Sequence, residues 1–239
     1  MIDFHSHVLP KMDDGPKSLR ESLEMLSLCF QQGVDAVVST SHFYADREDP
    51  RTFLLRRNRR LQALQEAMLC STEVYPRMIP GAEVLYFPGI SQAREVAELS
   101  IAGRAILIEP PMAPWSDDML DEIVCLGENF GRRPVVAHVD RYMRMLDDDR
   151  LIDRVLERGL LVQVNGSYFL DEKRQKAAIR NLKKGKIHLL GSDCHNLFDR
   201  APNLGPVRRV IRGAGAEAEF RRLQENALEL LGLEGGELV

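Results

Sequence analysis

Short apolar runs rich in Val, Ile and Leu alternate along the chain with longer stretches whose apolar positions recur every three or four residues. The runs fall at roughly 2–5, 36–40, 75–82, 105–109, 135–138, 160–165 and 187–192. A short, continuous apolar run predicts a strand buried on both faces. The periodic stretches predict helices over about 18–32, 52–70, 92–99, 117–129, 147–158 and 171–184, with a last one over 216–231. The first opens on a Ser18-x-x-Glu21 capping box and carries Leu19, Leu23, Leu26 and Phe30 at helical spacing. Seven β/α alternations without a linker or an internal repeat predict one α/β domain with a parallel sheet over 1–239. A closed barrel and an open doubly wound sheet both satisfy this pattern.

Composition narrows the function classes. Hydrophobic residues make up 44% of the 239 and charged residues 28%, as in an ordinary soluble domain. The net charge of −4 gives no basic signal for nucleic acid. No apolar run reaches the roughly 18 residues of a membrane span, so no membrane insertion is expected. The opening Met-Ile-Asp-Phe-His-Ser-His lacks the basic start and apolar stretch of a secretion signal. The cysteines (Cys29, Cys70, Cys125, Cys194) are far apart and read as reduced thiols, so the expected compartment is the cytoplasm.

The chemistry collects where strands end. His5, with His7 just beyond it, closes the first run; His42 and His138 close others, and His195 follows the last. Carboxylates fall at the same places: Asp14 in the first loop, Glu83 after the third strand, Glu109 after the fourth, Asp193 after the seventh. Parallel α/β folds build their sites at the C-terminal ends of strands, so nine potential ligands would meet on one rim. Singly, each has a plainer reading. A lone histidine is a loop residue, a lone carboxylate caps a helix or pairs with arginine, and Asp13-Asp14-Gly15 is a turn. Together they point to metal. His-x-His on a strand aims both imidazoles the same way. A mixed histidine–carboxylate set without cysteine suits Mn, Fe or Zn better than Mg or Ca. Four carboxylates against neutral imidazoles leave room for several divalent ions, with net positive charge for a phosphate dianion. His188 sits inside its strand and reads as a packed barrel-wall histidine.

These blocks resemble the PHP (polymerase and histidinol phosphatase) family of metallophosphoesterases, nearest to its bacterial protein-tyrosine phosphatase branch of capsular and extracellular polysaccharide synthesis. The resemblance rests on Ile-Asp-Phe-His-Ser-His-Val-Leu-Pro, Met-Asp-Asp-Gly-Pro-Lys-Ser-Leu-Arg-Glu, Thr-Ser-His (40–42), Gly-Ala-Glu (81–83), Glu109-Pro110, Ala-His-Val-Asp-Arg-Tyr (137–142) and Ser-Asp-Cys-His-Asn (192–196), in the family's order. It implies a distorted (β/α)7 TIM-like barrel and three divalent metals, Mn foremost and Fe or Zn otherwise. His5, His7, Glu83 and Asp193 would hold one metal. Glu83 would bridge to a second, with Glu109 and His138. Asp14, His42 and His195 would hold the third. Arg141 and Arg200 match the arginines that the branch sets against the substrate phosphate. The implied reaction is hydrolysis of phosphotyrosine on a protein substrate, a bacterial tyrosine autokinase. The alternative is a histidinol-phosphate or sugar-phosphate phosphatase of the same fold.

Two other patterns have plainer readings. Cys194 and Arg200 form C-x5-R, the spacing of thiol phosphatases. But the loop between them lacks the glycines that would wrap amides around a phosphate, and Asp199 would repel one. Arg51, Arg56, Arg57, Arg59 and Arg60 read as a solvated face of the second helix, with a docking surface for an acidic tail as the alternative.

Overall fold

The seven apolar runs form the parallel staves of one curled sheet in the computed structural model, which describes residues 1–233. They are β1 (Ile2–Ser6), β2 with β3 (Ala36–Ser39, His42–Phe43), β4 with β5 (Arg77–Pro80, Glu83–Leu85), β6 (Ala105–Glu109), β7 (Arg133–Val136), β8 (Leu161–Asn165) and β9 (Leu189–Gly191). The second and third staves are each kinked in two. The pairing Ser39↔Pro80 resumes beyond the kink as His42↔Glu83, in the same register. Glu83 is therefore the first residue of β5, not a loop residue after the third strand.

The last stave returns to the first. Asp193 N donates to His5 O at 2.8 Å, and His7 N donates to Cys194 O at 2.9 Å. This closure selects the distorted (β/α)7 barrel over the open sheet. It also explains Gly191: a Cβ there would lie 2.4 Å from His5 Cβ, so only glycine lets β9 approach β1 so closely.

Two apolar layers hold the barrel. Ile2, Phe4, Val38, Leu107, Val135 and Leu189 fill the inside, stoppered by Leu230 and Leu231 of the closing helix α9 (Glu217–Leu231). The larger outer layer lies between the staves and helices α1 (Leu19–Gln31), α2 (Pro50–Leu69) and α3 (Asp117–Phe130), with the shorter helices that follow them. Ser18 Oγ accepts from Glu21 N at 3.2 Å, whereas Glu21 Oε2 reaches Lys17 N at 2.7 Å, one residue before the expected box.

Several helix expectations shift. The stretch 92–99 is two 3₁₀ segments, Ile90–Gln92 and Arg94–Leu99; buried Val96 and Leu99 stand three apart, the period of that tighter helix. The stretch 147–158 shortens to α5 (Leu151–Glu157), since Asp147 takes a positive φ, and 171–184 shortens to α7 (Gln175–Lys183). Three helices were not anticipated: α4 (Val139–Met145), α6 (Ser167–Leu170) and α8 (Leu204–Gly213). The first two are too short for a periodic signal. Gly205 and Pro206 disguise the start of α8, although Leu204, Val207 and Ile211 keep helical spacing on its buried face.

Candidate metal centre

β1 would aim His5 outward if its pleat were regular, because Ile2 and Phe4 already face the barrel interior. The register with β2 slips by one residue between Asp3 and Ser6. This bulge re-aims His5 to the inside, where it joins His7. Their Nε2 atoms lie 3.2 Å apart. At two further strand ends the backbone turns sharply: His138 (φ 33°) and Asp193 (φ 53°) both take the left-handed conformation, which costs a non-glycine residue about 1–3 kcal/mol. Lys11, Ala102 and Asp147 take the same conformation elsewhere in the chain, so only the convergence of side chains singles out His138 and Asp193.

All nine converge at the C-terminal mouth of the barrel. Glu83, fully buried, is the hub. Its Oε2 lies 3.1 Å from His5 Nε2, His7 Nε2 and His42 Nδ1, and its Oε1 lies 2.7 Å from His138 Nε2. Glu109 comes within 3.5 Å of both His42 and His138. Asp193 Oδ1 stands 3.7 Å from His5 and 3.6 Å from His7. Asp14 Oδ1 is 3.1 Å from His195 Nε2 and 3.8 Å from His42 Nε2. Donor atoms of His5, His7 and Asp193 form one group, those of His42, Glu83 and Glu109 a second, and those of His7, Asp14, His42 and His195 a third. His42 thus stands between the second and third groups.

The donor set fits divalent metal. Glu83 Oε2, His42 Nδ1 and His195 Nε2 are buried and make no hydrogen bond, although carboxylate or imidazole partners lie close by. Lone pairs crowded toward a common point without hydrogen-bond geometry are what cation ligation satisfies.

Outer partners fix the ligands, and sequence reasoning missed them. Asp13 Oδ2 lies 2.8 Å from His7 Nδ1 and accepts from His42 N at 3.0 Å. Its Oδ1 accepts from Gly15 N, so the expected turn exists and also orients two histidines. Burial would raise the Asp13 carboxyl, but the His7 side chain and the backbone amides of Gly15 and His42 hold it far below the usual range. Gln163 Oε1 lies 3.2 Å from His5 Nδ1 and accepts from His138 N at 2.6 Å. Asn165 Nδ2 donates to Asp193 Oδ2 at 2.8 Å. The available signal was the polar pair Gln163 and Asn165 inside an otherwise apolar strand. Tyr44 stacks on His42 with ring centroids 5.3 Å apart, and the Arg47 guanidinium covers the Tyr44 ring. Burial, with Glu109, Glu83 and Asp14 nearby, pushes the Tyr44 hydroxyl up to about 12, so it stays protonated at neutral pH. Asp13→Asn is expected to keep the fold but lower metal affinity or turnover about 10–100-fold, because the amide presents a donor where His7 needs an acceptor. Titration of activity against metal concentration checks this; an unchanged half-saturation point together with unchanged turnover would refute it.

Both arginines reach the cluster. Arg141 pairs with Asp193 Oδ2 and lies 3.7 Å from Glu109. Arg200 pairs with Asp193 Oδ1 at 2.9 Å and Asp14 Oδ2 at 3.4 Å. Burial would raise the Asp193 carboxyl, but the charges of His5, His138, His7 and Arg141 outweigh it and hold the group far below its ordinary value.

The C-x5-R spacing has no thiol site behind it. Cys194 is fully buried in the outer layer, with its thiol grouped with Cys29 and Asp3. Cys194→Ala is expected to keep turnover within about threefold, losing only some core packing. Complete loss of turnover at full metal content would revive the thiol reading. The arginine cluster of α2 divides. Arg57 is buried and donates to Gly81 O, and Arg56 pairs with Glu48 and Met12 O, while Arg51, Arg59 and Arg60 are exposed. His188, just before β9, is half-buried at the opposite end of the barrel, its Nδ1 accepting from Val162 N.

The family profile described as capsular polysaccharide synthesis, CpsB/CapC, matches residues 1–232. The chain belongs to this family. The tyrosine-protein phosphatase CpsB of Streptococcus agalactiae is 29% identical over 246 residues, covering 97% of this chain and 98% of that protein. Among solved structures, a chain from work on YwqE of Bacillus subtilis and CpsB of Streptococcus pneumoniae, described as unique metal-dependent tyrosine phosphatases, matches with a TM-score of 0.82 at 22% identity. The match covers 98% of this chain and 96% of that one. Histidinol phosphate phosphatase of Lactococcus lactis, complexed with zinc, L-histidinol and phosphate, shares the fold with a TM-score of 0.59 at 15% identity, covering 90% of this chain and 93% of that one.

Proposed function

We propose that this chain is a cytoplasmic, metal-dependent protein-tyrosine phosphatase that removes phosphate from a tyrosine autokinase of capsular or extracellular polysaccharide synthesis. One catalytic domain carries the site. Its metal ligands are His5, His7, Asp14, His42, Glu83, Glu109, His138, Asp193 and His195, and they hold three divalent ions, manganese in preference to iron or zinc. Arg141 and Arg200 hold the substrate phosphate. The observation that carries this reading is Glu83, whose two buried oxygens face different histidine groups and so suit a bridging ligand. Family membership and the tyrosine-phosphatase relatives support the substrate class.

Bound ions would supply Lewis-acid charge and a water acidified toward neutral pH. The chain supplies the rest. Arg141 and Arg200 approach from α4 and from the loop after β9, and their guanidinium forks match two phosphoryl oxygens each. Fixed charge there stabilises the transition state without reorganisation. Asp13, Gln163 and Asn165 keep the ligand side chains in their working orientations. The leaving tyrosinate has a pKa of about 10, so it departs with less protonation than an alkyl alcohol requires.

The test compares a phosphotyrosine peptide with L-histidinol phosphate, both with manganese supplied. The peptide is expected to show at least a tenfold higher kcat/KM. A comparable or higher value for histidinol phosphate would overturn the substrate assignment and favour a small-molecule phosphatase.

A further inference from the structure

Beside the metal cluster lies a cavity of about 470 Å³, within the range of pockets that enclose whole ligands and larger than one phosphoryl group requires. Arg141, Asp193 and Arg200 form the side toward the cluster. The far side holds two more arginines, Arg144 and Arg174, with Tyr168. Arg144 stands one turn after Arg141 on α4, so both side chains leave the same helix face. It is exposed and makes no hydrogen bond or ion pair among the described residues. Arg174 is anchored. Its Nη1 donates to Asp140 O at 3.2 Å, its Nη2 to exposed Asp149 at 3.4 Å, and its guanidinium lies 5.1 Å from the centre of the Tyr168 ring. Two of its five N–H groups are so engaged, leaving donors for a ligand. The three other acidic residues lining the cavity are occupied locally: Asp140 Oδ1 accepts from Asn165 N at 2.8 Å, Asp171 accepts from Lys173 N, and Asp199 from Asn196.

We propose that Arg144 and Arg174 form a second anion subsite, which binds an acidic side chain lying close in sequence to the phosphotyrosine of the substrate peptide. This rests on the phosphatase reading above. One cavity then takes the scissile phosphoryl group between Arg141 and Arg200 and a neighbouring carboxylate or second phosphoryl group against Arg144 and Arg174. The enzyme so reads the sequence around the phosphotyrosine, selecting acidic or multiply phosphorylated segments. Exposed Arg144 and half-buried Arg174 acting on one anion give selectivity of about tenfold, weakened by salt.

Three phosphotyrosine peptides of equal length test it: one with neutral flanks, one with glutamates two and three residues away, and one with a second phosphotyrosine there. The wild type is expected to show about tenfold higher kcat/KM on at least one acidic peptide than on the neutral one, with the ratio falling at high salt. A preference for the glutamate peptide marks a carboxylate-reading site, and one confined to the doubly phosphorylated peptide marks a dianion-reading site. In Arg144→Gln and in Arg144→Gln/Arg174→Gln the ratio should fall toward one, and Arg174→Lys should restore part of it. Binding of non-hydrolysable phosphonate versions, followed by fluorescence anisotropy, should show the same order of Kd. Exposed Arg144 tests the subsite without threatening the fold. Equal kcat/KM on all three peptides, or a preference that survives Arg144→Gln/Arg174→Gln, overturns the subsite and leaves the phosphatase reading standing. No turnover of any peptide, with histidinol phosphate turned over, overturns both.

Discussion

Glu83→Gln is expected to lower kcat by about a thousandfold or more and to strip at least one metal ion per chain, while leaving the fold in place. The side chains are nearly isosteric, so the barrel should accept the change; only charge and one acceptor are lost. Those are what the site uses. Both carboxylate oxygens are fully buried, one 2.7 Å from His138 and the other 3.1 Å from three imidazoles. An amide offers one oxygen and one NH2, and the NH2 cannot ligate a cation. One of the two histidine groups must therefore face a donor where it needs an anion. Loss of a single preorganised donor in an active site costs about 10²–10³ in rate, and loss of a bridging ligand disturbs two sites at once. Metal analysis alongside steady-state kinetics checks the prediction. A variant keeping more than a tenth of wild-type turnover with its full metal content would show that Glu83 merely fills space.

The convergence of the nine candidate ligands was legible because the β/α period and the histidine positions obey one rule: chemistry sits where strands end. His42, Glu83, Glu109, His138 and Asp193 all lie within two residues of an expected strand end, and His195 lies three beyond the last. What was not legible depends on backbone departures from regularity. The bulge in β1 that turns His5 inward and the left-handed turns at His138 and Asp193 are local breaks in regular strand geometry. No local propensity encodes them. The kinks of the second and third staves, which make His42 and Glu83 the first residues of new short strands, escape periodicity for the same reason. Asp13 was hidden by an adequate simpler account, since a turn before glycine needs no further role. The register that brings Gln163 under both His5 and His138 is a property of the closed barrel.

Stripping the metal is expected to destabilise the protein as well as silence it, by an amount that grows with pH. Ions that bind only the folded chain add about 2.7 kcal/mol each at a hundred times their Kd. For a chain of this size about 1 kcal/mol moves Tm by roughly 2–4 °C, so one lost ion lowers it by about 5–10 °C. The metal-free protein has one means of relief. Burial would lower the His138 pKa, but its bonds to Glu109 and Glu83 outweigh that and raise it to about 9; burial likewise opposes His7, and Asp13 and Glu83 raise it well above its ordinary value. A histidine whose folded pKa exceeds its unfolded value of about 6.5 contributes stability below the unfolded pKa and loses it as pH rises through the folded one. His42 and His195, pulled down by burial, stay neutral across that window and do not offset the loss. Protonated His7 and His138 therefore stand in for cations at pH 6.5, and by pH 9 that substitute is fading. The metal-loaded protein, whose imidazoles are already neutral ligands, has no such dependence. The gap in Tm between loaded and chelated protein should widen steadily from pH 6.5 to 9, and differential scanning calorimetry at several pH values reads it directly. A gap that narrows with pH, or a Tm indifferent to a strong chelator at pH 8, would mean that these residues do not hold metal in the folded state.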